Sequence, residues 1–278
     1  MLAISLTLIA MILVIERPPV FLPFIYTIIL FLVISFMVDP GSHYLSKNFV
    51  VFLAYLGLTL LLYKIHKTVL PDFYGFSGPF GIGTDDLGFF YNASNHPMYK
   101  PPEGYRIFDH LHPFSRFLRI LYPFSINHPL SLIIPNVLGI TFIPLFTQRI
   151  ADHLTNDKKA ANLAFILTSV CPIILANGLI LVRDGWVTLF FIIGLYSLLS
   201  KRYIPLVGCL LIMGFLRLSS ALLLVISLIL YLTHLARNEE KGAVVSFVNY
   251  LGFITIGIMV LILMLPGIQF YLESKTGH

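Results

Sequence analysis

Long apolar runs occupy most of this 278-residue chain, and they constrain its fold more than any other feature. A helix that crosses the hydrocarbon core of a bilayer needs about 20 consecutive, mainly apolar residues. Charged residues make up 11% of the chain, whereas a soluble domain carries about a quarter. Because so little polar surface cannot cover a water-soluble globule, the sequence predicts an all-α, polytopic transmembrane helical bundle that forms a single integral membrane domain over residues 1–278.

The apolar runs predict about nine membrane spans. They lie near residues 2–15, 20–38, 49–63, 128–147, 160–182, 185–200, 203–216, 219–236 and 243–266. The first and seventh runs are short for a full crossing, so tilted or re-entrant segments are the alternative there. Residues 64–127 instead form a long loop rich in Gly, Pro, aromatic residues and His. A loop of this length within a compact protein is usually functional.

Basic residues predict the orientation of these spans in the cell membrane. With a cytoplasmic N-terminus, the loop 64–127 is extracytoplasmic, and the inner connections carry eight basic residues against three on the short outer ones, as the positive-inside rule requires. The inner set is Lys47, Arg149, Lys158, Lys159, Lys201, Arg202, Arg237 and Lys241, and the outer set is Arg17, Arg183 and Arg217. Since the basic residues are dispersed, they indicate contact with membrane lipids and no binding of nucleic acid.

The long loop carries an acidic pair in the sequence Gly-Thr-Asp85-Asp86-Leu-Gly-Phe-Phe-Tyr. Adjacent carboxylates resist ionising together. One of them therefore suits a general base for a sugar hydroxyl, and the pair suits a hard divalent cation. Mg²⁺ or Mn²⁺ is accordingly a candidate cofactor, with Asp85 and Asp86 as its ligands. The alternative is a solvated turn beside aromatic residues at the level of the lipid headgroups.

Two further charged positions lie at the ends of predicted spans, on the same side as the long loop. Arg183 and Asp184 separate two apolar runs with almost no connection, and charged residues at membrane depth are costly and usually functional. The planar guanidinium of Arg183 suits a lipid phosphate, whereas an ion pair that closes a helical hairpin is the alternative. Arg217 precedes Leu-Ser-Ser, where a phosphate can bind at the start of the next helix. Alternatively, the Arg217 side chain simply extends to the membrane–water interface.

The second half of the long loop predicts an amphipathic helix. Apolar residues recur at approximately helical spacing over 107–122, and basic and histidine side chains lie between them. This pattern is typical of a helix on the outer membrane surface. Arg106 and His110, like Asp184, are candidates for a supporting role in a site on that side. The cluster Asp109-His110-Leu-His112 matches no zinc-binding spacing.

Two stretches together resemble membrane glycosyltransferases of the GT-C type, which use polyprenyl-phosphate-linked sugars. The first is Gly-Thr-Asp85-Asp86 with the aromatic residues after it, and the second runs from Asn136 to Arg183 and Asp184 through an Ala-rich helix and Cys-Pro. The resemblance implies transfer of a sugar on the extracytoplasmic face, with inversion. It implies that Asp85 or Asp86 is the catalytic acidic residue and that Arg183 contacts the donor phosphate. Topology adds Arg217 as a second phosphate contact.

The implied partners are a polyprenyl-phosphate-linked sugar and a glycan or lipid-linked acceptor. The same stretches are similar to polysaccharide repeat-unit polymerases, which remain an alternative. A transporter or flippase for a lipid-linked sugar is another, although its usual signs, mid-membrane charges and broken helices in repeats, are lacking. A structural subunit of a larger assembly is the third.

Overall fold

The computed structural model describes residues 7, 21–38, 45–68, 85–94, 113–126, 128–179, 181 and 183–238. Within those ranges every regular element is a helix. Three of the helices are long and apolar enough to cross a membrane, at Phe21–Val38, Ser46–Ile65 and Leu130–Thr155. The all-helical fold class is therefore confirmed, and the count of nine spans stays a prediction. The span predicted at 243–266 lies outside the described residues, as does the span at 2–15 apart from Thr7.

The described helices follow the predicted spans closely in some places and divide them in others. Residues 160–182 were predicted as one span, but two helices form there because Pro172 opens a new helix after the turn at Val170. The helices are α1 (Phe21–Val38), α2 (Leu45–Thr68), α3 (Asp85–Ser94), α4 (Pro113–Leu121), α5 (Leu130–Asn136), α6 (Leu138–Thr141), α7 (Ile143–Thr155), α8 (Lys158–Ser169), α9 (Pro172–Leu179), α10 (Asp184–Leu199), α11 (Tyr203–Leu216) and α12 (Leu218–Asn238).

The chain divides into two compact units, residues 1–192 and 193–278. In the first unit α5, α6 and α7 follow one another as a nearly continuous helix. Its two interruptions, Val137 and Phe142, keep right-handed helical backbone angles. The most apolar stretch of this helix is 94% buried, whereas that of α1 is 28% buried. The helix therefore forms the centre of the unit. α1 packs on α5, α2 on α5 and α6, and α8 on α7.

Stacked aromatic rings join the outer helices of the first unit to this centre. The ring of Phe31 in α1 lies 4.3 Å from that of Phe52 in α2 and 5.5 Å from that of Phe142. The opposite side of α1 exposes large apolar side chains, including Phe36. Because nothing in α1 is charged, that exposed surface suits lipid better than water.

Hydrogen bonds between helices distinguish the two ends of the first unit. At one end, which we call the basic end, Arg149 donates to the carbonyl oxygen of Val38 and Lys47 donates to Asn162 Oδ1. At the other, which we call the loop-helix end, the Tyr26 hydroxyl donates to the carbonyl oxygen of Leu121, the last residue of α4. Lys47 and Arg149 thus lie at the basic end, whereas α2 carries two further lysines, Lys64 and Lys67, near its other end.

The second unit contains the end of α10, with α11 packed on α12. Its buried residues include Cys209, Met213 and Leu224. A Cβ atom added to Gly194 would lie 2.5 Å from Leu224 Cδ2. The absence of a side chain at Gly194 therefore allows α10 to approach α12 closely.

Candidate functional site

The acidic pair opens a helix within the stretch that the sequence predicted as a long loop. Asp85 and Asp86 are the first two residues of α3, and Gly88 is a buried residue inside that helix. Acidic residues in a first turn are favourable because the N-terminal end of a helix carries partial positive charge. The backbone of the pair is thus fixed by α3, while the positions of its two side chains lie outside the described residues.

α3 packs directly on α4. The rings of Phe89 and Phe114 meet edge to face with centroids 4.8 Å apart. Ser115 Oγ donates to the carbonyl oxygen of Phe89 at 3.4 Å, and Arg119 Nε donates to that of Ala93 at 2.7 Å. Both hydrogen bonds join residues 26 apart in sequence, so the two helices run parallel and begin at the same end of the pair. The beginning of α4 therefore lies beside the acidic pair.

α4 also packs on α10, through Phe117, the apolar residue that follows Phe114 by three positions. The ring of Phe117 meets the indole of Trp186 edge to face at 4.9 Å. The indole in turn donates from Nε1 to Asn136 Oδ1 at 2.9 Å, a buried bond between α10 and α5. A Cβ atom on Gly139 would lie 3.0 Å from the indole, so glycine at that position leaves room for the ring. The Asn136 amide therefore bonds across helices, as intramembrane amides commonly do.

The two charged residues of the predicted hairpin turn lie at the start of α10. Asp184 is its first residue, and the backbone carbonyl oxygen of Arg183 accepts a hydrogen bond from the backbone N–H of Val187 at 3.0 Å. Both side chains are half-buried. Because Trp186 follows within the same turn, the α4 contact described above also fixes this helix start. The structure thus links, through α4, the helix that begins at the acidic pair and the helix that begins at Asp184.

The structure does not relate the remaining predicted site residues to this arrangement. Arg217 belongs to the second unit, where its extended backbone separates α11 from α12 and its N–H donates to the Met213 carbonyl oxygen at 2.7 Å. α12 begins at Leu218, so Ser219 lies inside its first turn. Arg106 and His110 lie outside the described residues.

The predicted Mg²⁺ or Mn²⁺ site receives no further definition from the structure. Among the described residues, no group of three or more His, Cys, Asp or Glu side chains is arranged to hold a metal ion. The proposed ligands were the carboxylates of Asp85 and Asp86, whose side chains are outside that set. A divalent cation at the acidic pair stays a prediction.

Sequence reasoning missed a buried polar pair at the loop-helix end. The ring of His128, just after the predicted loop 64–127, is buried, and its Nδ1 accepts the backbone N–H of Leu130 at 3.2 Å. With Nδ1 accepting, a neutral ring carries its proton on Nε2 and donates it to the Tyr63 hydroxyl, 3.4 Å away. Tyr122, which precedes His128 in the chain, is also buried, and this burial raises the pKa of its hydroxyl. The available signal was Pro129, which places His128 at a helix start.

Comparisons with known proteins do not add to this picture. The chain matches no protein-family model, no curated protein and no solved structure at a significant level. The residues and geometry of the first unit are therefore what indicates its function.

Proposed function

We propose that this chain is an integral membrane glycosyltransferase. It moves a sugar from a polyprenyl-phosphate-linked donor to a glycan or lipid-linked acceptor on the extracytoplasmic face. The observation that supports this most is the placement of α4 between the helix that begins at Asp85 and Asp86 and the helix that begins at Asp184. A carboxylate and a phosphate-binding guanidinium on neighbouring helix starts are the two parts that such a transfer requires.

The two ends of the first unit support the sidedness in this proposal. Lys47 and Arg149, which the positive-inside rule assigns to the cytoplasm, bond to Asn162 and to the Val38 carbonyl oxygen at the basic end. Leu121 and Trp186, assigned to the outer side, lie on or against α4 at the loop-helix end. In this proposal about nine spans cross the membrane, and α3 and α4 belong to the extracytoplasmic loop.

The proposed reaction is a displacement with inversion at the anomeric carbon. The acceptor hydroxyl attacks that carbon, Asp85 or Asp86 takes the hydroxyl proton, and the bond between the sugar and the phosphate oxygen breaks. The lipid phosphate leaves with the bonding electron pair. Arg183, whose planar donor fork matches phosphate oxygens, stabilises the negative charge that develops there.

The direct test replaces the acidic pair in the full-length protein. Asp85→Asn, Asp86→Asn and the double variant are reconstituted into liposomes with a panel of radiolabelled polyprenyl-phosphate-linked hexoses and a lipid-linked glycan acceptor. Loss of a general base costs about 10²- to 10⁴-fold in rate, so we expect at least one single variant and the double variant to lose transfer by about that factor.

Asp152→Asn is the matched control for the acidic pair. Its carboxylate lies at the basic end and pairs with Lys158, so transfer should persist in this variant. Full transfer by both single variants and by the double variant would reject the carboxylate role. Arg183→Ala should weaken binding of the donor more than that of the acceptor, and an equal effect on both would argue against a phosphate contact.

A further inference from the structure

We infer that the exposed face of α4 binds the phosphate group of a membrane lipid, with Arg116 as the principal contact and Arg119 beside it. This inference rests on the proposed function in one respect: it takes the lipid to be the sugar donor, or the polyprenyl phosphate that remains after transfer. Neither arginine was among the phosphate contacts that the sequence predicted.

The position of α4 is the first support for this site. The hydroxyl of Tyr26 donates to the carbonyl oxygen of Leu121 at 2.8 Å, and its ring packs edge to face on those of Tyr122 and Phe124. Tyr26 lies in the second turn of α1, close to the end of an apolar helix long enough to cross a membrane. The end of α4 therefore lies where that helix would leave the hydrocarbon core, which is the depth of lipid phosphates.

The exposed face of α4 is the second support, because it combines cationic and apolar groups. Phe114 and Leu118 are buried, whereas Arg116, Arg119 and Ile120 are exposed. Spacings of three and four residues place these exposed side chains on one side of the helix. Ile120 is 77% exposed. A free phosphate ion gains nothing from such an apolar neighbour, but a lipid provides both a phosphate and an apolar chain.

The two arginines differ in how much of their hydrogen-bonding capacity the protein uses. Arg119 Nε donates to the carbonyl oxygen of Ala93, in the last turn of α3, where helix carbonyls lack partners. Arg116 forms no hydrogen bond or ion pair with any residue in the described part of the chain. Its guanidinium has five N–H donors in a planar fork that fits phosphate oxygens. α4 contains no acidic residue that would compete for them.

The parallel packing of α3 and α4 relates this face to the acidic pair. A register of 26 residues puts Arg116 level with Phe90, four residues from Asp86. Four residues of helix correspond to about one turn, or about 6 Å along the axis. A phosphate held by Arg116 would thus keep its attached sugar close to the start of α3, where the proposed base lies.

Binding of a polyprenyl phosphate, measured without any turnover, tests the site. The full-length protein is placed in nanodiscs of phosphatidylcholine, and retention of added polyprenyl phosphate is measured by native mass spectrometry. Arg116→Ala should weaken binding about tenfold or more, the contribution of one hydrogen bond between charged groups. Arg116→Lys should restore part of the affinity, because the charge returns without the planar fork.

Three controls decide between this site and its alternatives. Arg202→Ala removes another exposed arginine, from the second unit, and should bind as the unmodified protein does. The unphosphorylated polyprenol should bind equally to the unmodified protein and to Arg116→Ala, and excess inorganic phosphate should not displace the lipid. Equal binding of polyprenyl phosphate by both proteins, an equal loss in Arg202→Ala, or displacement by inorganic phosphate would overturn the inference.

The same variants separate failure of this site from failure of the proposed function. If the unmodified protein transfers no sugar while binding depends on Arg116, the site stands and the glycosyltransferase proposal falls. If the acidic variants lose transfer while Arg116→Ala binds and transfers normally, the function stands and this site is wrong.

Discussion

The two ends of the first unit use their cationic residues differently. At the basic end, Arg149 donates to the last carbonyl of α1, Lys47 to Asn162, and Lys158 to Asp152. At the loop-helix end, Arg119 likewise donates to the carbonyl oxygen of Ala93, but Arg116 is exposed and is bonded to nothing in the described part of the chain. Cations that hold helix ends in place serve the fold, whereas a cation that the fold does not use is available for a ligand.

Buried amides differ between the two ends as well. At the loop-helix end, Asn136 Oδ1 accepts the indole N–H of Trp186. At the basic end, both polar side-chain atoms of Asn48 are buried without a hydrogen-bond partner among the described residues, and so is Gln148 Oε1. An unpaired buried amide costs free energy, so the polar groups near the proposed site are better satisfied than those at the opposite end.

The largest effect on stability that this comparison predicts is that of Arg149→Ala. Arg149 donates from both terminal nitrogens to the Val38 carbonyl oxygen and lies over the ring of Phe146. Its loss should lower the free energy of unfolding by about 2–3 kcal/mol, because a charge-assisted hydrogen bond and its packing disappear. Thermal unfolding in detergent measures this. Arg116→Ala is the matched control and should change stability little, so equal destabilisation of both variants would remove the contrast.

The next effect is that of Asn136→Leu, which leaves the indole N–H of Trp186 buried without its acceptor. We expect a loss of about 1–2 kcal/mol in the free energy of unfolding. Trp186 is the sole tryptophan of the chain, so its fluorescence emission reports the change in its surroundings directly. Gly139→Ala should shift the emission too, since the added methyl group would lie against the indole. An unchanged emission maximum in both variants would contradict this packing.

A smaller effect, of opposite sign, is predicted at the basic end. Asn48→Leu replaces a buried and unpaired amide by an apolar group of similar size, so the free energy of unfolding should rise by about 1 kcal/mol. Asn162→Leu is its control: that amide accepts from Lys47 and Gln148, and its replacement should not stabilise. A drop in the unfolding midpoint of Asn48→Leu would mean that the amide has a partner not provided by these helices.

The smallest effect belongs to the exposed ion pair at the same end. Lys158 Nζ lies 2.7 Å from Asp152 Oδ2, but the lysine side chain is 75% exposed. Exposed pairs contribute about 0–1 kcal/mol, and Lys158→Ala should shift the unfolding midpoint by less than any of the preceding variants. A shift as large as that of Arg149→Ala would show that exposure is a poor guide to the importance of these cations.

Local sequence patterns predicted much of the helical framework. The ends of α1, α10 and α11 fall within one residue of the predicted spans at 20–38, 185–200 and 203–216, because each is an uninterrupted apolar run between polar residues. The same reasoning placed an amphipathic helix over 107–122, and α4 forms within that range. It did not predict α3, which lies within the predicted loop 64–127. The packing of Phe89 on Phe114 stabilises a helix there despite the internal glycine.

Composition and periodicity alone were enough to determine an all-helical chain with segments long enough to cross a membrane, since hydrophobicity and helical spacing are properties of neighbouring residues. Tertiary structure decided which of the charged residues are used for the fold and which are not. Arg119 bonds to Ala93, and Arg116, three residues away, does not bond to any described residue. No local pattern distinguishes these two arginines, because the difference depends on a carbonyl 26 residues distant in the sequence.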